Sequence, residues 1–266
     1  MSVSLFYCTL LLYLAGTCGF LAHLVWQKRA IWHVSLVLLT TGFCVQTASL
    51  VVRYLEAGYT PITTRFDAYS CLSWLLVALY LISQIRHAMP VLGAFVTPLA
   101  LVLALMASIW PKKILPLEPI LNSPWLPIHV IFAFLGDALL GLAACFALMY
   151  LIQERHLKSK NIGSFYYRLP SLDVLDRYSY RCISLGFPLL TLGIVTGSLW
   201  LNTIRGGYID WQDGRQTATL LTWFLYAALL HGRLVAGWRG RRVALLNLVG
   251  FMVILATFFT LSHFMK

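Results

Sequence analysis

Charge is scarce in this 266-residue chain: Asp, Glu, Lys and Arg together make up 11% of it, and the acidic residues number nine against twenty Lys and Arg. So few charges exclude an ordinary soluble domain, which devotes about a quarter of its residues to them. Long polar linkers are also missing, so no stretch is free to fold as a second domain, and one integral membrane domain over residues 1–266 is expected. None of the six cysteines stands in CxxC, CxxCH or a Cys/His spacing suited to zinc, and they read as small core residues. No basic patch is interleaved with aromatics, which argues against a nucleic-acid partner. The absence of an internal repeat weighs against a transporter.

What the chain does have is apolar sequence: 60% hydrophobic residues and a mean hydropathy of +0.79. Lipid is therefore the solvent for most of it. A hydrocarbon core of ~30 Å takes ~20 helical residues. Apolar runs of that length fall at 5–26, 31–52, 67–86, 89–108, 126–152, 177–201, 218–236 and 243–264. Leu5–Trp26 lacks a basic leader and a small-residue cleavage site before Lys28 and Arg29, so it reads as a retained span. Backbone groups in lipid must be bonded within the segment, and alternating ten-residue strands are not seen. The expected fold is an all-α polytopic bundle of about eight transmembrane helices.

The basic residues orient it. With the N-terminus outside, thirteen Lys and Arg fall in inner segments and seven in outer ones, which places both termini outside. The net charge of +11 then describes a cytoplasmic face opposed to anionic headgroups.

That topology brings His129, in the first outer turn after Ser123-Pro124-Trp125-Leu126-Pro127, to the same face as His263 near the end of the last span. The 202–217 connection lies on that face too, carrying Tyr208 and Trp211 just beyond Trp200. Most interfacial tryptophans are belt anchors. Trp211 differs, because it sits within a polar, Gly-containing loop, Arg205-Gly206-Gly207-Tyr208-Ile209-Asp210-Trp211, whose rings offer stacking faces. Arg205, Arg215, Lys112 and Lys113 are placed to meet ligand carboxylates. Two imidazoles beside an aromatic shelf suit a flat, iron-containing ligand. Asp137, about 12 Å deeper than His129 by helical rise, is unexplained by this reading and is either a helix–helix polar contact or part of a proton or ligand pathway.

These segments resemble the CcsA/HemX-like cytochrome c assembly proteins, a family of haem-handling membrane proteins with a tryptophan-rich outer loop. The resemblance is carried by Leu172-Asp173, Leu185-Gly186-Phe187-Pro188, Gly197-Ser198-Leu199-Trp200, Thr222-Trp223, His231-Gly232-Arg233 and Gly237-Trp238-Arg239-Gly240-Arg241-Arg242. Pro127-Ile128-His129-Val130 and Leu261-Ser262-His263 are similar to the segments bearing the family's two outer histidines, and Arg65-Phe66-Asp67 to an outer aromatic-acidic pair. The resemblance implies haem b, bound or in transit, with His129 and His263 as axial ligands. It also implies His231 in an inner, intramembrane haem-entry region, and contacts from Trp200, Tyr208, Trp211, Asp67 and Arg205. The implied partners are a membrane protein with a large outer domain and apocytochrome c, in a bacterial inner (plasma) membrane, with any enzymatic role confined to a haem-lyase (cytochrome c synthase) complex.

The family loop ends in Trp-Asp-Pro-Lys-Glu where this chain reads Trp211-Gln212-Asp213-Gly214-Arg215. That departure keeps open a HemX-like scaffold or regulator of tetrapyrrole biosynthesis, which would hold a haem-synthesis enzyme through the basic 153–181 segment.

Overall fold

The structure is a computed structural model and describes residues 1–60, 62, 64–86, 89–114, 116, 123–159, 166–209, 211 and 214–259, without the side chains of Arg86, Tyr166, Arg205, Arg215 and Phe259. Among these residues all the long elements are helices: α1 (Ser2–Trp26), α2 (Arg29–Ala57), α3 (Arg65–Arg86), α4 (Gly93–Ile109), α5 (Trp125–Lys158), α6 (Leu172–Arg205), α7 (Gly214–Val235) and α8 (Arg241–Phe259). Each is long and apolar enough to cross a membrane, α4 together with the short 3-10 turn at Pro90–Leu92 that leads into it.

The eight helices match the eight expected spans and differ at their ends. Two of them, α5 and α6, run to 34 residues each. Hydropathy stops at the first charges, whereas the helices continue through them with (i, i+4) pairs, Glu154–Lys158 at 2.8 Å and Asp173–Arg177 at 2.6 Å. Helix α2 closes at Gly58 and α6 at Gly206, both in the left-handed region with φ of 75° and 70°. Their N–H groups donate to the carbonyls of Tyr54 and Asn202, satisfying acceptors that the helix leaves open. The last expected turn, to residue 264, lies outside the described residues.

The helices fall into two compact units, Met1–Asn122 and Ser123–Lys266. In the first, α1 packs on α2 and α4, and α3 packs on α2 and α4. The buried positions of α1 include Ser2, Phe6, Thr9, Tyr13, Gly16, Phe20 and His23, and those of α2 are Ser35, Leu39, Gly42, Gln46, Ser49 and Arg53. Both sets alternate steps of three and four, the spacing of a left-handed helix seam. Small residues let the seam close: a Cβ on Gly42 would stand 2.8 Å from the Tyr13 ring.

In the second unit α5 packs on α6 and α8, and α7 packs on α6 and α8. The α5–α6 contacts march antiparallel along both helices, with Ala133 against Gly193, Gly136 against Leu190, Leu140 against Gly186, Ala143 against Ser179 and Phe146 stacked on Tyr178. Lipid tails are as apolar as a leucine, so close backbone approach rather than hydrophobicity holds such a pair.

Each unit carries a buried trio of the same chemistry. Tyr13 donates to Gln46 Oε1 at 2.6 Å, and Gln46 Nε2 reaches the Ser70 carbonyl and hydroxyl. In the second unit Tyr226 donates to Asn247 Oδ1 at 3.0 Å, and Asn247 Nδ2 donates to Ser179 at 3.2 Å. These trios tie three helices together in each unit.

The cysteines correct the sequence reading in part. Cys145 and Cys182 are buried, but Cys8, Cys18 and Cys44 are exposed on helix surfaces. A thiol that faces lipid needs no protein core to shelter it.

The α5–α6 crossing gives a direct test. A methyl group at Gly136 would lie 2.8 Å from the Leu190 nitrogen, which is backbone and has little room to move. Gly136→Ala is expected to cost about 1–3 kcal/mol, read as a lower Tm in detergent. Gly214→Ala, where the added carbon meets nothing within 4 Å, should leave Tm unchanged.

Candidate functional site

His129 lies one turn into α5, where Pro124 and Pro127 mark the helix start. Its Nδ1 is 2.7 Å from the Gly193 carbonyl oxygen on α6. A carbonyl accepts only, so the ring nitrogen donates, the proton sits on Nδ1 and the lone pair is left on Nε2. The seat is shaped by a missing side chain: a Cβ on Gly197 would stand 2.7 Å from His129 Nδ1 and 2.8 Å from Cε1. Thr196 hydrogen-bonds the same Gly193 carbonyl at 3.1 Å and that of Leu192 at 2.7 Å. Sequence reasoning missed Gly193, Thr196 and Gly197 as parts of the site. The signal was present in the small-xxx-small spacing Gly193-Ile194-Val195-Thr196-Gly197, which brings helix backbones together.

Trp200 follows on the face of α6 that carries Gly193 and Gly197, three residues beyond the second glycine. It is half-buried, and its Nε1 is buried with no hydrogen-bond partner among the described residues. Just past α6, Tyr208 and Trp211 are 59% and 71% exposed, so their rings are presented rather than packed. The Arg205 side chain and His263 lie outside what is described.

Phe134 of α5 and Phe258 of α8 pack with ring centroids 6.1 Å apart. His129 stands five residues before Phe134 in the chain.

The structure does not bring His231 to His129. It is exposed near the far end of α7, where Arg233 makes a bidentate pair with Asp176 of α6 at 2.9 and 2.6 Å and the Gly240 N–H donates to the same carboxylate. The Trp238 indole covers Gly232. This clamp fixes the α7–α8 turn just beyond His231. Asp137, half-buried on α5, has no ion-pair partner among the described residues and lies close enough to Tyr226 to act on it electrostatically.

In the first unit Asp67 is 2% exposed and bonded to Arg53 Nε, while Arg53 Nη1 donates to the Lys112 carbonyl at 3.1 Å. The second carboxylate oxygen accepts the Thr64 hydroxyl at 2.6 Å and the Thr64 N–H at 3.3 Å. Arg53 also lies over the Phe66 ring, and Arg65 over Trp110 at 4.0 Å. Both oxygens of Asp67 are thus engaged within its own unit. The Arg53–Asp67 pair has no signature in the sequence, since two residues fourteen apart on different helices leave no local pattern.

Residues 62–265 match the sequence profile of a family described as Cytochrome C assembly protein. Cytochrome c biogenesis protein CcsA of Synechococcus elongatus is 34% identical over 252 residues, covering 78% of this chain and 77% of its own. CcsA of another Synechococcus strain is 33% identical over 272 residues, with coverage of 90% and 89%. The corresponding protein of Guillardia theta is 34% identical over 229 residues, with coverage of 78% and 75%. Among solved structures, Cytochrome c Heme Lyase CcmF shares the fold, with a TM-score of 0.68 over 99% of this chain at 16% identity. This chain spans about half, 47%, of that protein's length.

The buried ion pair yields a second test. Asp67→Asn leaves Arg53 buried without a counter-charge and is expected to destabilise by about 3–5 kcal/mol, with Arg53→Met similar. The double variant Arg53→Met/Asp67→Asn, which leaves no unpaired buried charge, should cost clearly less than the sum of the two in thermal denaturation. Simple addition of the two single effects would show that the pair is not coupled.

Proposed function

Because the chain belongs to the cytochrome c assembly protein family, we propose that it is a multi-pass membrane protein that presents haem b on the outer face between His129 and His263 for transfer to apocytochrome c. The observation that carries this reading is the hydrogen bond from His129 Nδ1 to the Gly193 carbonyl. Metal-binding histidines characteristically donate their second ring N–H to a carbonyl or carboxylate, which fixes ring and tautomer and raises ligand basicity. The donor set fits as well, because neutral imidazoles are haem-iron ligands. His263 enters this reading from the charge-based topology, which puts it on the same face as His129.

When bound, haem supplies the iron and the vinyl groups that react with the acceptor's thiols. The chain's own residues hold and orient it. His129 would offer Nε2 to the iron, the Trp200 indole N–H would donate to the ligand, Tyr208 and Trp211 would supply stacking faces for the macrocycle, and Arg205 is the residue type that would pair with a carboxylate. His231, exposed near the inner end of α7, marks the entry side. For Asp67 the saturated carboxylate favours a scaffold role over contact with haem.

The membrane is the bacterial inner membrane, with the haem face directed to an oxidising compartment. The connections between helices are short, so a separate membrane partner with a large outer domain grips the acceptor, and any lyase activity belongs to that complex.

Purified protein in detergent is expected to show a Soret band that survives Asp137→Asn and disappears in the His129→Ala/His263→Ala double variant. An unchanged spectrum in the double variant would remove the proposed ligand pair. Co-purification of a haem-synthesis enzyme, lost on neutralising Lys158 and Lys160 and indifferent to the outer histidines, would replace this reading with that of a scaffold or regulator.

A further inference from the structure

The Gly193 carbonyl is asked to accept from several donors. As an α-helical carbonyl it faces the N–H four residues on, which belongs to Gly197. Thr196 Oγ donates to it at 3.1 Å, and His129 Nδ1 at 2.7 Å. A carbonyl oxygen has two lone pairs, so these donors compete. His129 reaches the oxygen only because residue 197 has no side chain, since a Cβ there would overlap both Nδ1 and Cε1 of the ring. Thr196 is 8% exposed and divides its hydroxyl between two carbonyls, those of Leu192 and Gly193.

We infer that Gly193, Thr196 and Gly197 of α6 form a positioning seat that locks His129 in the Nδ1–H tautomer and sets how strongly its Nε2 binds a metal. The inference deepens the haem reading of His129 and rests on it for the identity of the metal. Gly197 admits the ring, the Gly193 carbonyl holds its proton, and Thr196 moderates that carbonyl by competing for it. The stronger the Nδ1–H···O bond, the more electron density reaches Nε2 and the better it stabilises the ferric over the ferrous state. Sequence spacing alone would assign the two glycines to helix packing. The distances give them a partner that packing does not require, because the closest atoms to a Gly197 Cβ belong to an imidazole rather than to an apolar side chain.

The test has two arms. In haem-free protein labelled with 15N-histidine, the His129 signals, identified by their loss in His129→Ala, are expected to show the Nδ1–H tautomer at neutral pH. Gly197→Ala should shift the population towards Nε2–H. In haem-loaded protein, Gly197→Ala should weaken haem binding on the order of 10-fold. Thr196→Val, which removes only the competing hydroxyl, should keep the tautomer and move the midpoint potential in the negative direction. A wild-type His129 protonated on Nε2 instead, or a tautomer blind to Gly197→Ala, overturns the seat. A midpoint unchanged or raised by Thr196→Val overturns its tuning role even if Gly197→Ala fails to fold. Locked tautomer without any Soret band in the wild type overturns the haem reading instead and leaves the seat standing, so the two failures are separable.

Discussion

Two helices that already lie in lipid gain almost nothing by burying leucine against leucine, so what joins them must be contact that lipid cannot supply. In the second unit that contact is backbone against backbone where α5 crosses α6. A Cβ on Gly136 would stand 2.8 Å from the Leu190 nitrogen, too close to be tolerated, and one on Gly193 would stand 3.0 Å from the Ala133 backbone, a tight contact that the neighbour would have to yield to. The rest of the unit follows from this approach. It sets the register that brings Ser179 under Ala143, and it delivers the Gly193 carbonyl to His129 at the outer end. The same small residues that hold the helices together therefore also build the candidate ligand site.

Polar side chains follow a complementary rule. In a medium without water each must find a partner within the bundle, and most do. The tyrosine–amide–serine trios each join three helices, Arg53 and Asp67 neutralise one another, and Arg233 and Asp176 clamp an inner turn. Two of the exceptions bear on the site. Among the described residues, the Trp200 indole nitrogen is buried without a hydrogen-bond partner, and Asp137 has a tyrosine near it but no cation. The first lies on the helix face that seats His129, where a ligand is expected. The second lies below it on α5, and the geometry gives it no comparable role.

Much of this was legible in the sequence, for reasons that can be named. Span number and helical class follow from hydropathy and from the cost of unbonded backbone in lipid, both of which are local. His129 was placed by a proline-marked helix start and a charge asymmetry, again local signals. The helix ends were misjudged where salt-bridged turns extend beyond the hydrocarbon. The pairing of Arg53 with Asp67 and of His129 with Gly193 was invisible, because each joins different helices and depends on a register that only packing decides. Gly197 was read as family sequence and Gly193 was not singled out, whereas the physical role of both is to lack a side chain. His231 and the outer histidine share a chemistry but lie towards opposite ends of the second unit, which residue type alone cannot reveal.

The length of α5 has a mechanical consequence. Take the Gly136–Leu190 contact as a pivot. The inner arm, to Lys158, is about 33 Å by helical rise, and the arm out to His129 is about 10 Å. A rigid tilt about that pivot is therefore reduced some threefold in amplitude at the imidazole. Whatever tugs on the solvent-side end of this rod, the histidine sits on the short arm and moves about a third as far.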